Sequence, residues 1–238
     1  MNPLSPKIGF DRFIHLDWAA IALRVRANET TFEDLMEVLD LSHAGPAAKK
    51  KTRTVLNRLW LEPRPGLVDF ADRGVQIHRD SPVSTTLALT WGMAIATYPF
   101  FGRVAEIVGR LTALQGDCTS AEVHRRMAEI YGEREGTRRM TSMVLQSQAS
   151  WGAIERFNNG KKIVRKSAIH LEGSPLAAWL AEACLRYSGR ALPVSSIASK
   201  PLVFPFNFGG STSYLLSKSR VFEMRVDSAG DQIVSLAE

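Results

Sequence analysis

The chain has 238 residues, 45% apolar and 23% charged, close to globular averages, so neither a disordered polymer nor a fibrous repeat fits it. Its formal net charge of +6 favours polyanionic or acidic partners. Two cysteines, Cys118 and Cys184, without Cys-x-x-Cys spacing, argue against a disulfide framework or a zinc site and suit a reducing cytoplasm.

Residues 2–12 meet Lys7, Asp11 and Arg12 before any long apolar run, so no signal peptide is expected. An N-terminal unit is expected over 1–80. Thr30 and Glu33 suggest a cap, and Leu35, Met36, Val38 and Leu39 mark the first helix of a pair. Ser42-His43-Ala44-Gly45 supplies a turn, and Pro46 suits the opening of a helix over 46–61 that carries Lys49, Lys50, Lys51, Arg53 and Arg58. Pro63-Arg64-Pro65-Gly66 breaks it, after which 67–70 and 75–78 are expected to pair as a hairpin around Asp72-Arg73-Gly74.

The second unit is expected over 81–172. Residues 81–102 lack charged side chains, yet their hydroxyl side chains and the brackets Pro82 and Pro99 favour a buried central helix of about four turns over a membrane span. Ala105, Val108, Leu111 and Leu114 continue at helical spacing up to Gly116, and Thr119-Ser120-Ala121-Glu122 reads as a capping box opening the next helix. Val123, Met127 and Ile130 point inward there. A tight turn at Tyr131-Gly132 precedes a third helix over 136–151, with Met140, Val144, Ser147 and Trp151 on its inward face. Arg138, Arg139, Ser142 and Gln146 occupy the outward side, together with Leu145. Residues 154–157 and 161–165 then flank Asn158-Asn159-Gly160, the chemistry of a hairpin turn, and this hairpin brings Lys161, Lys162, Arg165 and Lys166.

The last unit, 173–238, predicts an amphipathic helix over 175–187, a short helix over 193–199, and a hairpin of 221–226 with 232–236 around Ser228-Ala229-Gly230. It could be a third, degenerate copy. The proline-aromatic run 202–208 is expected to pack between units.

Helix, helix, turn, basic helix and basic hairpin make a winged helix-turn-helix. Residues 30–56 match 119–145 at an offset of 89, which suggests a duplication. The expected fold is therefore mainly α with small β-hairpins, tandem winged helix-turn-helix units around a buried central helix. Positive charge follows the same pattern, with ten Lys/Arg against five acids over 118–170 and six against one over 45–66. Arg138, Arg139, Ser142 and Gln146 have the pairing chemistry of major-groove readers, and the hairpin cations suit phosphates. Double-stranded DNA is the expected partner.

An enzyme is not expected: there is no phosphate-binding Gly-rich loop, nucleophile elbow or zinc helix, and no Asp or Glu is followed two residues later by Lys. The five histidines stand apart in sequence, so no cofactor or metal is implied. Residues 87–151, with Leu-Ala-Leu-Thr-Trp-Gly-Met, then Glu-Ile-Val-Gly-Arg-Leu and the capped helix pair, resemble the BrxA family, the small component of bacterial BREX phage-defence systems. The likeness lies in size, element order and the hydrophobic central helix. It implies a winged-helix DNA-binding protein acting beside methyltransferase and ATPase partners, with no catalytic residue carried over. The competing reading is a tandem winged-helix scaffold that binds protein partners in a larger DNA-processing complex.

Overall fold

The computed structural model describes residues 9–43, 45–80, 85–171, 175–209, 212–228 and 230–237. It is mainly helical with small sheets. The chain opens with α1 (Leu16–Arg26), α2 (Phe32–Ser42) and α3 (Pro46–Leu56), which widens into a π-helical turn over Asn57–Leu61. The capping box of α2 falls one residue later than expected. Thr31 accepts from the Asp34 amide while the Asp34 carboxylate takes the Thr31 N–H, so Thr31 and Asp34 replace Thr30 and Glu33.

The hairpin expected over 67–78 is instead α4 (Val68–Asp80), entered through a 3₁₀ turn at Pro65–Leu67. The reason is periodicity: Leu67, Phe70, Ala71, Gly74, Val75 and His78 recur three and four apart, the stripe of a helix and not the alternation of a strand. The triplet Asp72-Arg73-Gly74 has turn chemistry yet lies inside the helix. Gly74 has a packing role, because a Cβ there would stand 3.1 Å from the Trp179 ring. Trp179 stacks on Phe70 at 4.2 Å between centroids and donates its indole N–H to the Phe70 carbonyl.

Next come α5 (Thr86–Thr97) and α6 (Pro99–Gln115), divided at Tyr98. Every residue from 88 to 95 is buried, as a helix apolar all round requires. Its 12 residues span about 18 Å, short of the ~30 Å hydrocarbon layer, and among the described residues no helix is long and apolar enough to cross a membrane. Ser81 to Ser84, including Pro82, lie outside the described residues. The Trp91 ring meets Phe101, Trp151, Phe204 and Phe206, and its N–H donates to the Leu202 carbonyl. The proline-aromatic run thus packs on the central helix, and its 3₁₀ turn Pro201–Val203 lies against α6 at Gly109, where a Cβ would overlap the Pro201 carbonyl.

From α6 the chain runs through β1 (Asp117–Thr119), α7 (Ser120–Tyr131), α8 (Glu135–Ser150), β2 (Ile154–Phe157) and β3 (Lys162–Arg165). The sheet order is β1-β3-β2, all antiparallel, with Cys118 opposite Ile163 and Arg156 opposite Ile163 on the other side. A short parallel pair, β4 (Ile169–His170) with β6 (Phe206–Asn207), ties the following segment down.

The C-terminal part repeats this connectivity. Helix α9 (Pro175–Ser188) leads to β5 (Leu192–Pro193), α10 (Val194–Ile197), α11 (Thr212–Lys218) and the expected hairpin β7 (Phe222–Val226) and β8 (Gln232–Leu236). Its sheet order is β5-β8-β7, again with the first strand against the last and both pairings antiparallel. Ala229 of the expected turn lies outside the described residues. Buried apolar residues from all three parts join in one continuous core.

The first and second helical parts superpose in sequence with one step. Positive-φ Asn28 and Gly116, caps Thr31 and Thr119, and buried pairs Leu35/Val123 and Leu39/Met127 stand 88 apart. Beyond the turn, Thr52/Thr141, Val55/Val144 and Leu56/Leu145 are all buried and 89 apart. The constant offset of 89 is thus corrected by one residue, because α7 is one residue longer than α2.

Candidate nucleic-acid interface

The second part supplies the residues for an interface because its helix pair is fixed at both ends. Gly116 (φ 85°) ends α6, and Thr119 and Glu122 form the expected capping box of α7. Gly132 (φ 87°) turns the chain toward α8. That helix buries Thr137, Thr141, Val144, Leu145, Ser147 and Gln148. Leu145, expected outward, is fully buried, which removes the one apolar side chain that clashed with a polyanion-binding face. Ser147 anchors the helix by accepting the Ile14 N–H at 2.9 Å, and Trp151 donates to the Ile14 carbonyl at 2.9 Å.

On the outward side Arg138 and Arg139 are exposed and Gln146 is half-buried. Ser142 is half-buried and engaged, 3.2 Å from His124 Nε2 on α7. The hairpin closes around a wider turn than expected, with Phe157 opposite Lys162 and Lys161 inside the turn. Three consecutive positive-φ residues, Asn158, Asn159 and Gly160, make that turn, which is the conformation these residue types tolerate. Lys161 and Lys166 are exposed, Arg165 is half-buried, and Lys162 contacts Asp117 at 2.7 Å. The hairpin does not hang free: Ser120, the first residue of α7, donates its amide to the Lys161 carbonyl at 2.9 Å and its hydroxyl to the Gly160 carbonyl.

The corresponding cations of the first part are placed differently. Lys49 is ion-paired with Asp40, Arg53 is half-buried, and Lys50, Lys51 and Arg58 are exposed, the last inside the π turn. Helix α4 takes the place of the expected hairpin beside them. Among the described residues, a helix with exposed cations is therefore followed by a cationic hairpin in the second part and not in the first.

Sequence reasoning missed two residues here, His124 and Arg156. Arg156 shares a strand face with buried Ile154, and this period of two could have pointed it at the helix pair. Its guanidinium folds over the turn, where a Cβ on Gly160 would overlap it. Burial lowers the His124 pKa, and the positive charges of Arg138 and Arg156 lower it further. Burial also holds Arg156 below its ordinary value. In contrast, burial pushes the Cys118 and Cys184 thiols up to about 12, so neither is a ready thiolate. Among the described residues no group of three or more His, Cys, Asp or Glu comes together as metal ligands would. Compared with protein-family models, with curated proteins and with solved structures, the chain matches none.

Proposed function

We propose that this chain is a non-enzymatic double-stranded DNA-binding protein whose contacting element is a winged helix-turn-helix over α6 to β3. The observation that carries the reading is the connectivity helix, strand, helix, helix, hairpin with sheet order β1-β3-β2, combined with cations on both parts that a groove would meet. Helix α8 is the groove-entering element, with Arg138 and Arg139 toward base edges and Gln146 beside them. Lys161 and Lys166 on the hairpin reach phosphates, and Lys162 and Arg165 reinforce them. None of Arg138, Arg139, Lys161 and Lys166 forms an ion pair among the described residues, so each charge is available to the duplex. The similarity of residues 87–151 to the BREX component extends the reading to an accessory role in phage defence.

The test is fluorescence anisotropy of a labelled duplex against the full chain over a salt series. Binding at about micromolar concentration or tighter is expected at low salt, weakening steeply as counterions compete. Folded protein that fails to bind any duplex at low salt overturns the proposal.

A further inference from the structure

Three elements of the second part contribute the polar groups around His124. His124 projects from α7, Ser142 and Arg138 from α8, and Arg156 from β2. His124 Nε2 lies 3.2 Å from Ser142 Oγ. Arg138 lines the same cavity as His124, and Arg156 approaches the Gly160 carbonyl at 3.5 Å, which also takes the hydroxyl of Ser120, four residues before His124 on α7. Burial lowers the His124 pKa, both guanidiniums lower it further, and neither guanidinium forms an ion pair among the described residues. The cavity along α7 and the start of α8 also carries Arg125 and Arg134, with the carboxylates Glu129, Glu133 and Glu135. Glu129 faces Arg125, at 3.5 Å. Burial and the two guanidinium charges disfavour protonation of the half-buried imidazole in the free protein, and an arriving anion would offset this.

Resting on the DNA-binding reading, we propose that His124, Ser142 and Arg156 form a station for one backbone phosphate of the duplex, and that filling it is coupled to proton uptake by His124. With its proton on Nδ1, neutral His124 accepts a hydrogen bond from the Ser142 hydroxyl at Nε2. Once protonated, the imidazolium donates to Ser142 Oγ instead, which frees the hydroxyl to donate to a phosphate oxygen. The phosphate then faces the Arg156 guanidinium, a hydroxyl donor and an imidazolium. The sign is fixed: His124 is harder to protonate in the free protein than an ordinary histidine and easier in the complex, so affinity rises as pH falls between the two values.

The experiment uses the full chain labelled for detection of histidine ring carbons, titrated across about pH 5 to 8 alone, with a duplex and with inorganic phosphate. Duplex is expected to raise the His124 pKa, and wild-type affinity by anisotropy is expected to tighten by up to about tenfold per pH unit within the window. In His124→Gln that pH-linked component disappears, while thermal melts report whether the variant is folded; Arg156→Gln should raise the His124 pKa in the free protein. Because the chain holds four other histidines, the difference between wild type and His124→Gln carries the result. A duplex that binds without moving the His124 pKa overturns the station and leaves the DNA reading standing. Inorganic phosphate that moves it as far as duplex does overturns the assignment to the nucleic-acid backbone. Failure of any duplex to bind at low salt at every pH overturns the DNA reading, and the station with it.

Discussion

The first and second helical parts share a framework yet use their polar residues in opposite ways. In the first, the polar groups close on one another: His43 bonds the Leu39 carbonyl at 3.0 Å and Thr52 at 2.9 Å, Lys49 pairs with Asp40, and Arg26 binds the Trp60 carbonyl and Asp72. In the second, Arg138, Arg139, Lys161 and Lys166 form no ion pair among the described residues, and the histidine lies 3.2 Å from a serine hydroxyl instead of a carbonyl. The element after the helix pair differs too. Helix α4 docks on α9 through Gly74 and Trp179, whereas the hairpin β2–β3 remains at the surface with its tip tied to α7. Two parts with matching caps and buried positions thus differ in how the element after the helix pair is used, docked on α9 in one and left at the surface in the other.

The largest effect should come from how each long helix is locked at its end. Helix α8 is held by Trp151, which is buried, stacks on Phe101 and bonds Ile14. Trp151→Ala should cost about 3–5 kcal/mol, because a large cavity opens in the shared core. The equivalent lock after α3 is polar, Arg26 on the Trp60 carbonyl and Asp72, so Arg26→Ala should cost less, about 1.5–3 kcal/mol. Denaturant midpoints measure both. Equal losses would show that the two locks are not different in kind.

Next in size is the effect on DNA binding. Arg138→Ala with Arg139→Ala should cost about 1–3 kcal/mol for each bidentate base pairing removed and should do so more on an enriched site than on random duplex. Lys161→Ala with Lys166→Ala should weaken both duplexes alike and flatten the salt slope by about 0.9 for each phosphate no longer neutralised. Lys50→Ala with Lys51→Ala, the exposed pair of the first part, should change either much less. A larger loss of affinity from the Lys50/Lys51 variant would reverse the roles assigned to the two parts.

Much of this contrast was legible in the sequence. The capping box at Thr119, the Asn158-Asn159-Gly160 turn and the buried helix at 86–97 all rest on local chemistry that short windows carry. Helix α4 was not legible because Asp72-Arg73-Gly74 has turn chemistry, and only the packing of Gly74 against Trp179, 105 residues away, shows why glycine stands in a helix. The inward position of Leu145 was missed for a related reason: which stripe of α8 is buried depends on the approach of the chain before α1, through Ile14. His124 and Arg156 are 32 residues apart, and nothing local marks either; only folding of the hairpin back onto α7 makes them neighbours.

The finest difference between the two parts lies in their caps, and pH can resolve it. Thr31→Ala and Thr119→Ala should each cost about 1 kcal/mol, since each removes the side-chain acceptor for a first-turn amide. Their partner carboxylates are not equivalent. Asp34 receives the Thr30 hydroxyl at 2.6 Å and the Thr31 amide and hydroxyl at 2.8 Å each, which hold its pKa down to about 2. Glu122 receives the Thr119 amide and hydroxyl at 2.7 and 2.8 Å but only a 3.4 Å approach from Gln115, and its pKa is lowered as well. For a carboxylate whose folded pKa lies below its unfolded one, the stabilisation is complete above the unfolded value and fades as pH falls through the folded one. The wild-type denaturation midpoint should therefore drop between about pH 4 and pH 2. Asp34→Asn should flatten that drop more than Glu122→Gln does, since three short bonds to Asp34 lose their charge against two to Glu122. Equal flattening would mean that the third donor, Thr30, contributes nothing, and the two capping boxes would then be interchangeable.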